Sequence, residues 1–228
     1  MRTGRESMSA NVEEERMRKA VLSFGLFVCL VGAGHPVVAQ AQNQRPMSFF
    51  ITSVGLGNGG NLGGLAGADK HCQALATVVG ASNRTWRAYL STAAEGGKPA
   101  VHARDRIGKG PWYNAKGVLI AQTLDEMHSD RNGMGPQTSL NERGQLIPGS
   151  GSPQNKHDML TGSKADGTAS TETCGNWTSN SAGSAMVGHH DRTSISGRPS
   201  WNSAHTLSCS QQGLSISGAG YFACFAAN

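Results

Sequence analysis

Aromatic residues make up only 6% of this 228-residue chain while glycine fills 31 positions, so much of the backbone must lie in turns and loops, and long bundles and coiled coils are excluded. No two cysteines form a C-x-x-C pair, which disfavours a zinc knuckle or a thiol redox motif. The basic residues, such as Arg84, Arg87, Arg104, Arg106 and Lys109, are scattered and lack interleaved aromatics, so a nucleic-acid surface is not expected. The serines sit in no G-x-S-x-G elbow and no cysteine is spare to act as a thiolate. Ser, His and Asp all occur, as chance alone provides in a chain of this size, so a binding module is expected rather than an enzyme.

What is present begins with a leader. Met17-Arg18-Lys19, the apolar run Ala20 to Ala33 and then Val37-Val38-Ala39-Gln40-Ala41 have the three parts of a secretory signal peptide, with cleavage expected after Ala41. The run is too short for a comfortable membrane span, so the alternative of an uncleaved anchor is disfavoured. Cys29 follows Val28, which is not the small residue a lipid-attachment site needs. Residues 1–16, with Glu13-Glu14-Glu15, are odd ahead of a signal peptide and suggest a true start at Met17. Removing 1–41 leaves 15 basic and 11 acidic residues, a mild net charge of +4. The expected product is exported, periplasmic or secreted, with a linker over 42–46, one domain over 47–228 and no membrane span. Its four cysteines, Cys72, Cys174, Cys209 and Cys224, predict two disulfides, with three pairings open on spacing alone.

Ser48 to Val54 is rich in β-formers and predicts the opening strand. Ala68, Cys72, Leu75, Ala76 and Val79 recur at helical spacing, with Asp69 in the first turn and Gly80 past the end, predicting a helix over 68–79. Strands are expected at Trp86 to Leu90 and at Val118 to Ala121, the latter after a turn at Lys116-Gly117. A short helix is expected at Leu124 to His128, a hairpin at Leu140 to Ile147, an exposed turn over Pro148 to Gln154, and a last strand at Gly220 to Phe225.

Gly55-Leu56-Gly57-Asn58-Gly59-Gly60 satisfies G-x-G-x-x-G, but Asn61 to Gly67 separate it from the helix, so no helix N-terminus would meet a pyrophosphate and a nucleotide site is not expected. His189-His190-Asp191 invites a metal reading, because residues 189 and 191 would share one face of a strand and His190 would point away. A third ligand could come from His157, Asp158 or His205, yet no spacing such as H-E-x-x-H fixes the set, and histidines bonded to backbone carbonyls are the blander alternative. Asn83-Arg84-Thr85 and Asn176-Trp177-Thr178 are glycosylation sequons. Trp86, Trp112, Trp177 and Trp201 could stack on sugar rings or fill the core.

The tail Trp201-Asn202-Ser203, then Cys209, then Tyr221-Phe222-Ala223-Cys224-Phe225 resembles the closing segment of C-type lectin-like domains. The closer similarity is to endostatin, the C-terminal module of certain collagens, and to bacterial domains of that type. Cys72-Gln73-Ala74-Leu75-Ala76 and Arg84 to Ser91 resemble its helix and following strand. Leu160-Thr161-Gly162-Ser163, Asp166-Gly167 and Cys174-Gly175-Asn176-Trp177-Thr178 are similar to its second half, so that the likeness runs from about Phe49 to Phe225. It implies a loop-rich α+β domain with paired N- and C-terminal strands and nested disulfides, Cys72 with Cys224 and Cys174 with Cys209.

The sugar-binding lectins of this type hold calcium with an E-P-N or Q-P-D loop plus the Asn and Asp of W-N-D. Asn202 is kept here, but Ser203 replaces the aspartate and neither tripeptide occurs, so no calcium site is assigned. Endostatin's zinc depends mainly on an N-terminal histidine cluster, and Gln42 to Phe50 holds no histidine, so no zinc site is carried over. The expected function is a binding module recognising glycan or an extracellular or envelope protein through Trp177, His189, Asp191, Trp201, Asn202 and His205. The alternatives are a metal-dependent or hydrolytic enzyme using His189, Asp191 and His205, and a structural envelope protein.

Overall fold

In the computed structural model, which describes residues 45–192 and 200–228, the apolar triplet Phe49–Ile51 forms strand β1. The leader over 1–41, the Met17 start and residues 42–44 of the linker lie outside the described residues. β1 is shorter than the predicted strand because Ser53 leaves the ladder: its hydroxyl donates to Glu142 Oε1 at 2.6 Å and its N–H to Oε2 at 3.2 Å. β1 pairs antiparallel with β8 (Ala223–Ala226), whose other edge takes β2 (Trp86–Ala88), giving the order β1-β8-β2. The N- and C-terminal strands are therefore neighbours.

Every residue of β1 and β8 is buried, so both faces of this sheet are covered, as an apolar run without alternation requires. Side chains still alternate between the two faces. Phe50, Trp86, Ala88, Phe222 and Cys224 pack with helix α1 (Gly64–Val78). Phe49, Tyr89, Phe225, Trp112 and Trp201 form the core on the other side.

Helix α1 starts four residues earlier than the periodicity suggests. Gly63 takes a left-handed conformation at the entry, and a Cβ on Gly67 would lie 2.0 Å from Leu62 O, so glycine admits the tight approach into the first turn. Asp69 consequently lies beyond the first turn, and its carboxylate has another task. It accepts from Ala88 N at 2.9 Å and pairs with Arg87 at 2.8 Å and Arg106 at 2.7 Å, fastening α1 to β2.

Trp112–Tyr113 (β3) and Leu119–Ala121 (β4) form a hairpin. Helix α2 (Leu124–Met127) follows, capped by Thr123 Oγ1 accepting from Glu126 N while Glu126 Oε2 accepts from Gln122 N. The third sheet is antiparallel, in the order β5 (Asp158–Leu160), β6 (Ser184–His189), β7 (His205–Ser208). A short helix α3 (Gln211–Leu214) leads toward β8.

Cys72 pairs with Cys224 across 152 residues and Cys174 with Cys209 across 35, the nested arrangement that the resemblance implies. Cys174–Trp177 forms a turn with positive φ at four successive residues, an arrangement disfavoured for the three that are not glycine. It is held by the disulfide, by the Trp177 indole donating to Ser91 O at 2.7 Å, and by Asn176 Oδ1 accepting from Ala93 N at 2.8 Å. The run from Gly55 to Gly60 serves the same corner: a Cβ on Gly60 would lie 2.5 Å from Cys174 Sγ and one on Gly59 2.2 Å from Cys209 O. These glycines are moulded to the staple. Among the described residues, no helix is long and apolar enough to cross a membrane.

Candidate functional site

The strongest concentration of polar chemistry lies at one end of the β5-β6-β7 sheet. Asp158 opens β5 and faces His189, the last residue of β6, across the ladder; His205 opens β7 opposite Val187. Cross-strand partners share a face, and Val187 and His189 share one because they are two residues apart. Register therefore puts Asp158, His189 and His205 together. His157 directly precedes β5, its N–H donating to Asn155 Oδ1 at 3.1 Å, and its ring stacks on that of His189 with centroids 4.2 Å apart.

Three imidazoles close on one oxygen. Asp158 Oδ1 lies 3.2 Å from His189 Nε2, 3.2 Å from His205 Nε2 and 3.5 Å from His157 Nε2. None of these contacts is an aligned hydrogen bond to Oδ1, which is buried. The other oxygen, Oδ2, accepts from the Ser217 hydroxyl. The Asp158, His157 and His189 side chains are buried, whereas that of His205 is 30% exposed, so the cluster meets solvent there.

Burial works against the Asp158 carboxylate, but contacts from His189 and Ser217 and the nearby His205 and His157 outweigh it and hold its pKa below the ordinary value. Burial lowers the pKa of His157, and Asp158 and Asp191 only partly offset it. At neutral pH the cluster thus presents an ionised carboxylate beside a neutral His157 imidazole. His157, Asp158 and His189 bring one ligand atom each within 4.8 Å of one another, so these three side chains could hold a metal ion; His205 approaches the same set through Asp158 Oδ1.

Asp191 does not share the strand face expected for it, because β6 ends at His189 and the next two residues turn. It lies behind the cluster, with Oδ1 3.6 Å from His157 Nδ1 and Oδ2 accepting from Ser150 N at 2.6 Å. His190 is buried away from the cluster, its N–H donating to His157 O at 3.0 Å, and burial pushes its pKa down to about 4.

Trp177, Trp201 and Asn202 lie elsewhere, inside the molecule. The Trp201 indole donates to Met127 O at 2.8 Å, and Asn202 Nδ2 donates to Tyr89 Oη at 2.8 Å. All four tryptophans are buried, which leaves no indole face open to a sugar ring. Sequence reading weighed His157 and Asp158 only as possible third ligands. Their adjacency breaks the alternation of a strand, and only the turn before β5 brings both inward. Comparison with known protein families and with curated proteins finds no match to this chain.

Proposed function

We propose that this chain is an exported recognition module with the C-type-lectin-like, endostatin-like fold suggested by its sequence, and that it binds an extracellular or envelope partner. The observation that carries the reading is a set of long ordered loops on a stapled scaffold. Segments 128–157 and 161–173 contain no helix or strand, only isolated bridges. Buried side chains fix them nonetheless: Asn141 Oδ1 accepts from Arg143 N and Gln145 N, and Ser139 Oγ donates to His190 O at 2.7 Å. Irregular segments held this firmly suit recognition.

The burial of Trp177 and Trp201 favours a protein partner over a glycan gripped by ring stacking. The exposed edge of the polar cluster, His205, is the proposed centre of the contact surface. Ile216, at 75% exposure the most exposed of the large apolar side chains among the described residues, directly precedes the serine that holds Asp158.

A hydrolytic enzyme is the second reading, favoured by the meeting of histidine, aspartate and serine. Its chemistry is poorly served, because the Ser217 hydroxyl donates to Asp158 rather than to a histidine that could take its proton. Arrays of glycans and of secreted and envelope proteins, probed with the oxidised chain in calcium and again in chelator, test the proposal. Saturable binding to a defined partner, weakened by His205→Ala, is expected. No binding on either array would favour a structural envelope protein.

A further inference from the structure

We propose that His157, Asp158, His189 and His205 form a zinc site, with Nε2 of each histidine and Oδ1 of the aspartate as the four ligand atoms. This goes beyond the recognition reading and does not depend on it.

Geometry supplies the first argument. Zinc bound tetrahedrally at about 2.0–2.1 Å to nitrogen and oxygen sets its ligand atoms roughly 3.3–3.4 Å apart along each edge. The three edges that meet at Asp158 Oδ1 measure 3.2, 3.2 and 3.5 Å; His157, Asp158 and His189 form the compact set, and the partly exposed His205 is placed as the fourth ligand by its contact with Oδ1. A carboxylate oxygen has two lone pairs, and three ring nitrogens crowd this one.

The donor set names the metal. Three imidazole nitrogens and one carboxylate oxygen suit a borderline ion that accepts four ligands, whereas calcium takes six to eight oxygens. With neutral imidazoles and an ionised aspartate, the bound site would carry a single net positive charge.

The surroundings are those a metal site needs. Ser217 holds Oδ2 of Asp158, leaving Oδ1 as the ligand oxygen. Asp191 Oδ1 stands 3.6 Å from Nδ1 of His157, the nitrogen that would not face the metal, and is itself anchored by Ser150 N. At that distance the carboxylate acts electrostatically rather than through a hydrogen bond, and it favours a proton on Nδ1. The register of β5, β6 and β7 sets three of the four ligands, and the partly exposed His205 gives an ion a path inward.

The test strips the full oxidised chain with chelator, removes the chelator, and titrates zinc and calcium calorimetrically. One zinc per chain is expected, with calcium giving no comparable heat. His205→Ala should weaken zinc binding by about 100-fold or more while lowering the metal-free melt only modestly, since mutation of even an outer-sphere group typically costs 10–100-fold. His71→Ala, whose ring contacts Val54 O outside the cluster, should bind zinc like the parent. X-ray absorption at the zinc edge of the parent, which needs no variant to fold, should count three imidazoles and one carboxylate oxygen. Zinc affinity no better than millimolar, parent-like binding by His205→Ala, or a count of fewer than three imidazoles would overturn the proposal.

Discussion

The sheets β1-β8-β2 and β5-β6-β7 are both three-stranded and antiparallel and both send apolar side chains into the cores, yet one end of the second differs in kind. The first buries phenylalanine, tryptophan, alanine and a disulfide on two faces, and its energy comes from area removed from water. The second gathers Asp158 and three histidines at one end, where removal from water costs energy that contacts among the groups themselves must offset. A stapled apolar sheet can carry such a polar one. The molecule thus separates the part that holds it together from the part equipped for chemistry or contact.

The largest effect should come from breaking the apolar half's staples. Reduction removes loop constraints of roughly 5 and 4 kcal/mol at most for the two disulfides, comparable to the entire stability of many domains. Loss of far-UV dichroism and of the cooperative melt on reduction is expected, with the Cys72→Ala/Cys224→Ala double variant melting below the Cys174→Ala/Cys209→Ala one. Next is Trp86→Ala, which empties the space between β2 and α1 and deletes the indole bond to Ala81 O; denaturant unfolding should show a loss of about 3–5 kcal/mol.

A smaller effect should come from acid at His128, which borders the apolar core. Its Nδ1 donates to Leu124 O and its Nε2 meets the Tyr89 hydroxyl, each at 2.7 Å, contacts that the neutral ring makes with Nε2 accepting from the hydroxyl. Burial lowers its pKa in the folded state. The unfolded chain therefore takes the proton more readily, so this contribution to stability is complete above about pH 6.5 and is lost as pH falls from there toward the folded value. Melting temperature should decline over that window, and His128→Gln should flatten the decline.

The smallest effect on stability should belong to the polar half's exposed edge. His205→Ala, which removes one contact to the buried Asp158 carboxylate but leaves the apolar core intact, is expected to lower unfolding free energy by about 1 kcal/mol. Its consequences should appear in ligand or metal binding instead. A melt lowered as far as that of Trp86→Ala would erase the distinction between the two sheets.

Legibility in the sequence follows the same division. β1, α1, β2, β4 and β8 lie where apolar periodicity and turn residues place them, because those elements are specified by burial along the local chain. β5 and β7 are not visible in the sequence and β6 only as a strand assumed through His189 to Asp191: Asp158–Leu160 is too short to show a period, and Ser184–His189 and His205–Ser208 sit in a stretch rich in serine and glycine. Their register is imposed by neighbours distant in the chain, which no window of sequence displays. The site was half visible for this reason. His189 and His205 were singled out by residue type, whereas Asp191 was placed by a strand alternation that ends two residues too soon.

The central position of β8 bears on the order in which the molecule is completed. It holds β1 on one side and β2 on the other, yet it is the last strand among the described residues, so both wait for Ala223–Ala226 before either has a ladder. Cys72 likewise waits for Cys224. A growing chain can therefore complete β3-β4 and β5-β6-β7 first, but the sheet that joins β1 to β2 closes only with β8. A chain cut short just before Ala223 should be not a slightly smaller domain but an unclosed one.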